Sequence, residues 1–445
     1  MRQNLYRNAG YYETCYLRMK VNSNAEFLAF DKSLSEIDIA LFFHEYIHYL
    51  QDITTTYGFM NLASEVDLIK QINLKIRISE EDNFTIPYKT DETDGNVYWN
   101  ELYNKVVIGG GEHLNNLTDI IIEIEKKKID FPSNPVDIDR VVLNCSIINQ
   151  DVKYYFGSYC ISETMAYELE QYVYPNVLPA PPTFPYNTGR IIADLLYPNF
   201  SNDPLNIVAL CDASLMYSNP GKIYHDILEM MVEDNFAPKT PEDIYKYVFD
   251  KIKLNEQGIT DYRELFLHSG LTAHDQINDY FTTNVFYNNS SWITSTISGA
   301  IHLRNLIPSF ILDIARCGDL RESTVFQATL NKVGSPLILN SENKGFFANK
   351  LNRYGVKIDP TYFGVFKEIK GLTTKSWAER TNLCGLKEFC QQSCLENGVE
   401  DFTNYDCHSS PWKRVNVPDS ELCPFGATWK SWGLAGKNLI EIEDE

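Results

Sequence analysis

The sequence "ALFFHEYIHYLQD", residues 40–52, places two histidines and a glutamate in an otherwise apolar run. Apolar residues occupy nearly every face of a helix from Ile37 to Ile53, and this pattern predicts a helix buried in the core. Burying an imidazole or a carboxylate costs free energy unless the group has a partner. The sequence therefore predicts that His44, Glu45 and His48 lie inside the protein and that something binds them.

These three residues form an HExxH motif, whose spacing suits a metal ion. Two histidines four positions apart lie on the same face of a helix, so both imidazoles can bind one ion at about 2.0–2.1 Å. Glu45 lies too far around the helix to be a comfortable ligand, yet close enough to hold a water beside the ion. Zinc lowers the pKa of such a water to about 7, and a carboxylate can then take its proton. We expect His44 and His48 to bind Zn²⁺ and Glu45 to act as the general base.

A catalytic zinc site needs a third protein ligand and one open position. The metzincin pattern would supply that ligand from the same segment, but it requires a glycine and a histidine where this chain has Gln51 and Thr54. The metzincin pattern is therefore excluded, and we expect the third ligand to come from a second helix.

The stretch "SETMAYELE", residues 162–170, resembles the ligand segment of the gluzincin zinc metallopeptidases, notably the M1 aminopeptidases. Glu163 matches the ligand glutamate, Ala166 a small packing residue and Glu170 a later acidic position. The resemblance implies a zincin-like catalytic domain whose zinc site Glu163 completes. It covers only this stretch and HExxH, and 114 residues lie between His48 and Glu163. No GxMEN element, which holds the substrate's free amine in that family, precedes HExxH, so an endopeptidase is expected.

Other residues are candidates for completing or supporting this site. His113, which follows three glycines, and Glu168 are rival third ligands. Gln51 and Asp52 either hold an imidazole in place or simply form a polar helix end. The donor that stabilises a tetrahedral oxyanion stays unassigned, because the chain has 28 tyrosines and several further histidines.

A cysteine cluster near the end of the sequence is a candidate second metal site. Its members are Cys384, Cys390, Cys394, Cys407, His408 and Cys423. No CxxC pair occurs among them, so the spacing matches no standard zinc finger or ribbon. A structural zinc ion, buried thiols, disulfides and an iron–sulfur cluster all remain open. The cluster could also form a module that docks a partner.

Composition excludes several classes of protein. The 445 residues are 44% hydrophobic and 22% charged, as in a folded soluble protein. Thirty-nine basic and 60 acidic side chains give a net charge of −21, which argues against a nucleic-acid or anionic-membrane partner. We find no run of about 18 apolar residues that would span a membrane and no apolar signal-peptide core at the start. Because the cysteines are irregularly spaced, we expect a cytoplasmic protein.

The overall pattern predicts a mostly helical α+β fold. Ser35 and Asp38 have the spacing of a capping box at the start of the HExxH helix. Strand-like runs at residues 15–21 and 26–31 predict a strand pair. A β-hairpin is expected at residues 140–157, immediately before the SETMAYELE helix.

Three domains are predicted: a zincin-like catalytic domain with a small antiparallel sheet (1–178), a helical domain (186–375) and a cysteine-rich module (376–445). The first boundary rests on the proline-rich stretch "PNVLPAPPTFP", residues 175–185. The second rests on the change to a sequence rich in cysteine, glycine and tryptophan.

Two functions fit these features. The first is a zinc-dependent peptidase, an endopeptidase that cleaves a protein or peptide substrate, here a specific protein partner, through a metal-activated water. The second is an interaction or regulatory protein that keeps zinc for structure, in which Glu45 has no chemical role. Hydrolysis of a non-peptide amide would use the same residues as the first. A regulatory protein partner is also compatible with the helical region and the cysteine-rich tail.

Overall fold

The structure is a computed structural model. It describes residues 10–79, 82–115, 117–130, 135–147, 150–254, 259–280, 287–348, 361–376, 384, 386, 390, 411–418 and 422–441. The described residues are mostly helical and carry small sheets, so the predicted α+β class is confirmed.

The strands are β1 (Gly10–Glu13), β2 (Arg18–Val21), β3 (Asn83–Ile86), β4 (Leu117–Ile129), β5 (Val136–Ile147), β6 (Gln150–Phe156), β7 (Leu337–Leu339), β8 (Gly345–Phe346) and β9 (Asn438–Glu441). The helices are α1 (Glu36–Thr54), α2 (Thr56–Ile78), α3 (Asn96–Ile108), α4 (Ser158–Val173), α5 (Thr183–Tyr186), α6 (Thr188–Leu196), α7 (Pro204–Ser214), α8 (Pro220–Glu233), α9 (Pro241–Lys251), α10 (Tyr262–Tyr280), α11 (Tyr287–Leu306), α12 (Phe310–Arg316), α13 (Thr324–Val333), α14 (Thr361–Thr374) and α15 (Pro424–Ser431).

The described residues form two compact units. The first unit comprises those within Met1–Ala63, Trp99–Ile277 and Ser291–Lys357. The second comprises those within Ser64–Tyr98, Asn278–Ser290 and Ile358–Glu445. The three-domain division inferred from the sequence stays a prediction.

Two sheets lie in the first unit. One has the strand order β1-β2-β7-β8, with β2 and β7 parallel and the other pairs antiparallel. The other is antiparallel with the order β4-β5-β6. Its β5–β6 pair is the hairpin predicted at residues 140–157, whereas β4 was not predicted.

The strand pair predicted at residues 15–31 is wrong in its second half. β2 pairs with the earlier β1, and no strand forms at residues 26–31. Phe27 and Phe30 instead pack against Phe42 of α1, with ring centroids 5.8 and 4.6 Å away. Packing of these two rings against the helix therefore determines the path of this segment. Its apolar composition resembles that of a strand, but no strand forms there.

Helix α1 begins where the sequence predicts. The Ser35 side chain accepts from the Asp38 N–H, and the Asp38 carboxylate accepts from the Ser35 N–H, which completes a capping box. From Ile39 to Thr54 all side chains are buried except that of His48, which is partly exposed. The predicted core helix is thus confirmed.

A buried arginine fixes the other end of α1. Arg304 donates to the Thr54 carbonyl at 2.9 Å and forms two hydrogen bonds with the Asp212 carboxylate, at 2.6 and 2.9 Å. Tyr245 donates a further hydrogen bond to Asp212 at 2.7 Å. Because the last carbonyls of a helix lack partners within the helix, this network satisfies one of them and ties α1 to α7 and α11.

Helix α4 follows β6 through Gly157 and packs between α1 and α7. A side chain at position 157 would meet the Val107 carbonyl at 2.4 Å, so the turn into α4 requires glycine. The hairpin and this tight turn therefore place α4 against α1, the HExxH helix.

In the second unit, β3 and β9 form a parallel pair. Phe366 of α14 stacks on Trp432 at a centroid distance of 5.5 Å, and Lys370 forms an ion pair with Glu65 at 2.6 Å. β3 lies within a polar, turn-rich stretch of the sequence, residues 78–96, yet its Ile86 is buried.

Candidate metal centre

His44 and His48 lie one turn apart on α1, with ring centroids 5.2 Å apart. Packing of α4 on α1 brings the Glu163 carboxylate to both rings. Its Oε2 lies 3.6 Å from His44 Nε2, and its Oε1 lies 3.4 Å from His48 Nε2. The α1–α4 group, as we call these three residues, offers ligand atoms that all lie within 4.8 Å of one another.

These separations fit a shared metal ion better than direct hydrogen bonds. Hydrogen bonds between nitrogen and oxygen usually measure about 2.7–3.2 Å. Ligand atoms about 2.0–2.1 Å from a tetrahedral zinc ion lie roughly 3.4 Å from each other. Moreover, Glu163 Oε2 is buried and has no hydrogen-bond partner among the described residues. A buried orphan carboxylate oxygen facing two imidazoles is what an ion would satisfy.

The remaining nitrogen of each ring has its own acceptor. His44 Nδ1 donates to Glu170 Oε2 at 2.9 Å, and His48 Nδ1 donates to Gln51 Oε1 at 2.9 Å. A proton on Nδ1 leaves the Nε2 lone pair of a neutral imidazole directed at Glu163. The two rings are therefore oriented for metal binding.

Gln51 also connects the two helices of the group. Its Nε2 donates to the Ser162 carbonyl at 3.0 Å, while its Oε1 holds His48. Because Ser162 precedes Glu163 on α4, one side chain sets the spacing between an imidazole and the carboxylate. Of the two roles considered for Gln51, holding an imidazole or forming a polar helix end, the structure shows the contact with an imidazole.

Burial and neighbouring charges shift the pKa values of this group in opposite directions. Burial alone would raise the pKa of Glu163, but the charges of His48 and His44 outweigh it and lower that pKa to about 2. Burial would likewise lower the pKa of both imidazoles, yet the Glu163 and Glu170 carboxylates raise that of His44, and Glu163 raises that of His48. When both imidazoles are neutral, the Glu163 and Glu170 carboxylates leave buried negative charge, which protons or a cation compensate.

Glu45 is buried beside the two imidazoles. Burial raises its pKa to about 7, against the lowering effect of His44 and His48. Strand β1 runs close to it, since a side chain at position 10 would lie 3.3 Å from Glu45 Oε1 and 2.6 Å from the Lys20 carbonyl. Gly10 therefore lets β1 approach both β2 and the carboxylate closely.

The other two candidates for the third ligand do not join this group. Glu168 forms two hydrogen bonds with Arg190, both at 2.6 Å. His113 is exposed in the loop after α3. Asp52, the other candidate for holding an imidazole, accepts instead from the Cys15 N–H at 2.8 Å.

The cysteine cluster is described only in part. Cys384 is buried and Cys390 and Cys423 are partly exposed, whereas Cys394, Cys407 and His408 lie outside the described residues. The Cys423 thiolate or thiol sulfur caps α15 by accepting from the Gly426 N–H at 3.3 Å. A second metal site at these residues stays a prediction.

The sequence did not lead us to predict that Glu170 orients His44. Glu170 only matched the later acidic position of the gluzincin segment. A periodicity argument would have found it. Glu170 follows Glu163 by seven residues, or two helical turns, so both carboxylates lie on the face of α4 that meets α1.

A further set of possible metal ligands lies on α8 alone: His225, Asp226 and Glu229, here called the α8 group. Lys222 places its ammonium 2.6 Å from one Asp226 oxygen and 2.5 Å from the other. A cation of the chain, the Lys222 ammonium, is therefore already paired with this group.

No helix among the described residues is long and apolar enough to cross a membrane. Comparison of the chain with protein-family models, with curated proteins and with solved structures found no match. What the structure itself offers is a buried group of histidine and glutamate side chains that could hold a metal ion.

Proposed function

We propose that the protein is a zinc-dependent peptidase, an endopeptidase of the gluzincin type. The observation that carries the proposal is the meeting of His44, His48 and Glu163 from α1 and α4, with Glu45 beside them. The donor set, two imidazoles and one carboxylate, is one used by catalytic zinc sites. The resemblance of the SETMAYELE helix to gluzincin ligand segments supports the same proposal.

A zinc ion, when bound, supplies Lewis-acid activation of water and of the scissile carbonyl. The residues of the chain do the rest. His44, His48 and Glu163 hold the ion, and Glu170 and Gln51 keep the imidazoles aimed. Glu45 accepts a proton from the attacking water and returns it to the leaving amine.

The second candidate is an interaction or regulatory protein with a structural zinc ion. The burial of the site favours it, since His44, Glu45 and Glu163 keep only 4%, 5% and 5% of their surface exposed. Structural sites are normally closed by a fourth protein ligand, and Glu45 would then have no chemical role.

The test compares wild type with Glu45→Gln, which keeps the shape of the side chain but removes its basicity. Both proteins are assayed for zinc content and for cleavage of a proteome-derived peptide library, with products identified by mass spectrometry. We expect one zinc ion per chain in both, and cleavage only by the wild type. Equal cleavage by both would reject Glu45 as the base, and no cleavage by zinc-loaded wild type would favour the structural candidate.

A further inference from the structure

The outer edge of β4 is a surface that the proposed peptidase site does not use. β4 has 13 residues and pairs with β5 along one side. Within the described residues, no strand lies along its other side. A long free edge offers a row of N–H and C=O groups to another strand, so proteins usually keep such edges short or cover them.

Apolar side chains are exposed on this strand. Ile121 and Ile124 keep 56% and 41% of their surface accessible. Because neighbouring side chains of a strand point to opposite faces, these two isoleucines lie on opposite faces of the sheet. Solvent exposure on both faces would favour polar residues, so a partner that covers part of β4 explains the apolar ones better.

Charge is divided along β4. Asp119, Glu123 and Glu125 lie in its first part, and the stretch from Lys126 to Lys128 follows directly. Glu125 is paired with Arg140 at 2.9 Å and Lys128 with Asp130 at 2.8 Å.

Those pairs leave two acidic and two basic side chains for a partner. Asp119 and Glu123 are exposed, as are Lys126 and Lys127, and neither lysine forms an ion pair within the described part of the chain. A partner strand should therefore be basic beside the first half of β4 and acidic beside the second half. An antiparallel copy of β4 has that pattern.

We propose that β4 binds β4 of a second copy of this chain in antiparallel pairing, so that two three-stranded sheets join into one of six strands. A twofold axis at Glu123, the midpoint of β4, overlaps the two strands completely. Asp119 then lies opposite Lys127 of the second copy, and Ile122 opposite Ile124 of the second copy. Glu123 faces its own equivalent, a repulsion that solvent screens because the side chain is exposed.

Charge exchange tests this pairing in the full-length chain. One variant, Lys126→Glu with Lys127→Glu, makes the free charges of β4 acidic, and the other, Asp119→Lys with Glu123→Lys, makes them basic. Sedimentation velocity should show a monomer–dimer equilibrium for the wild type between about 1 and 100 µM, as suits an interface of modest area. Each variant alone should dimerise at least about tenfold more weakly, because attractive pairs become repulsive.

An equimolar mixture of the two variants should restore the dimer, and native mass spectrometry should show that it contains one chain of each. The matched control, Lys239→Glu with Lys246→Glu, makes the same change of charge at exposed lysines of the first unit and should dimerise like the wild type. A monomeric wild type over this range would overturn the proposal. So would a dimer that neither variant weakens, or variants that do not combine when mixed.

Discussion

The α1–α4 group and the α8 group both bring histidine and carboxylate atoms close enough to share an ion, but they differ in three respects. The first comes from two helices and buries His44 and Glu163, whereas the second lies on one helix, with the Glu229 side chain 54% exposed. In the first, each imidazole is held through Nδ1 and presents Nε2 to the carboxylate. In the second, His225 Nδ1 itself faces both Asp226 and Glu229, at 3.3 and 3.5 Å.

The third difference is charge. Burial would raise the pKa of Asp226, but His225 and Lys222 outweigh it and lower that pKa. An ammonium group of the chain itself is therefore paired with this carboxylate. The pKa of Glu163 is lowered too, but by the imidazoles that would share the ion with it, and its Oε2 atom is buried without a hydrogen bond in the described part of the chain. Closeness of ligand atoms alone therefore does not make a metal site; an unpaired ligand oxygen and oriented donors are also needed.

The largest effect on zinc binding is expected from Glu163→Gln. Replacing a charged ligand in a three-residue set should weaken zinc binding by about two to three orders of magnitude, since structural zinc sites gain about 10–16 kcal/mol from four ligands. Competition with a fluorescent chelator measures this loss. His225→Ala is the matched control, and its zinc affinity should equal that of the wild type. If both variants bind zinc as the wild type does, the α1–α4 group is not the site.

Glu45→Gln should separate chemistry from binding. Loss of a general base costs about two to four orders of magnitude in rate. Zinc affinity should change by much less, because Glu45 is not among the ligand atoms that meet. Peptide cleavage and chelator competition on the same sample make the comparison. A variant that loses zinc as completely as Glu163→Gln would show that Glu45 acts as a ligand.

A smaller loss is expected when the orienting side chains change. Glu170→Ala and Gln51→Ala should each weaken zinc binding by about 10- to 100-fold, the usual cost of removing a group that holds a ligand histidine. Glu170→Gln keeps an oxygen that can accept from His44 Nδ1, so it should recover most of that affinity. The absorption spectrum of the Co²⁺-loaded protein shows whether the ligand geometry changes. A Glu170→Gln protein as weak as Glu170→Ala would mean that charge, not orientation, is the contribution of Glu170.

The difference between local and long-range interactions explains how much of the site the sequence could predict. The start of α1 and the facing histidines follow from local rules, because a capping box and a spacing of four residues act within one helix. In the chain, 114 residues separate Glu163 from His48. No local pattern relates the two, and only the resemblance pointed to it; its place beside the imidazoles depends on the packing of α4.

Errors of prediction arose where packing competes with a local pattern. The run at residues 26–31 is strand-like in composition, yet Phe27 and Phe30 are held by the aromatic rings around α1. β4 escaped prediction because its charged residues and exposed isoleucines do not alternate as in a strand with one buried face. In both cases the secondary structure depends on long-range contacts, which a short stretch of sequence does not reveal.

The smallest effect, and the sharpest test of the charge argument, is expected at Lys222. In a Glu163→Gln background, which weakens the first site, Lys222→Ala takes away the ammonium that neutralises Asp226. A weak zinc site should then become detectable on α8, with a dissociation constant above about 100 µM, because Glu229 is exposed and all three ligands lie on one helix. Isothermal titration with Zn²⁺ measures it. Tight binding to the α8 group with Lys222 still present would show instead that a resident cation does not exclude the metal, and the distinction drawn between the two groups would fail.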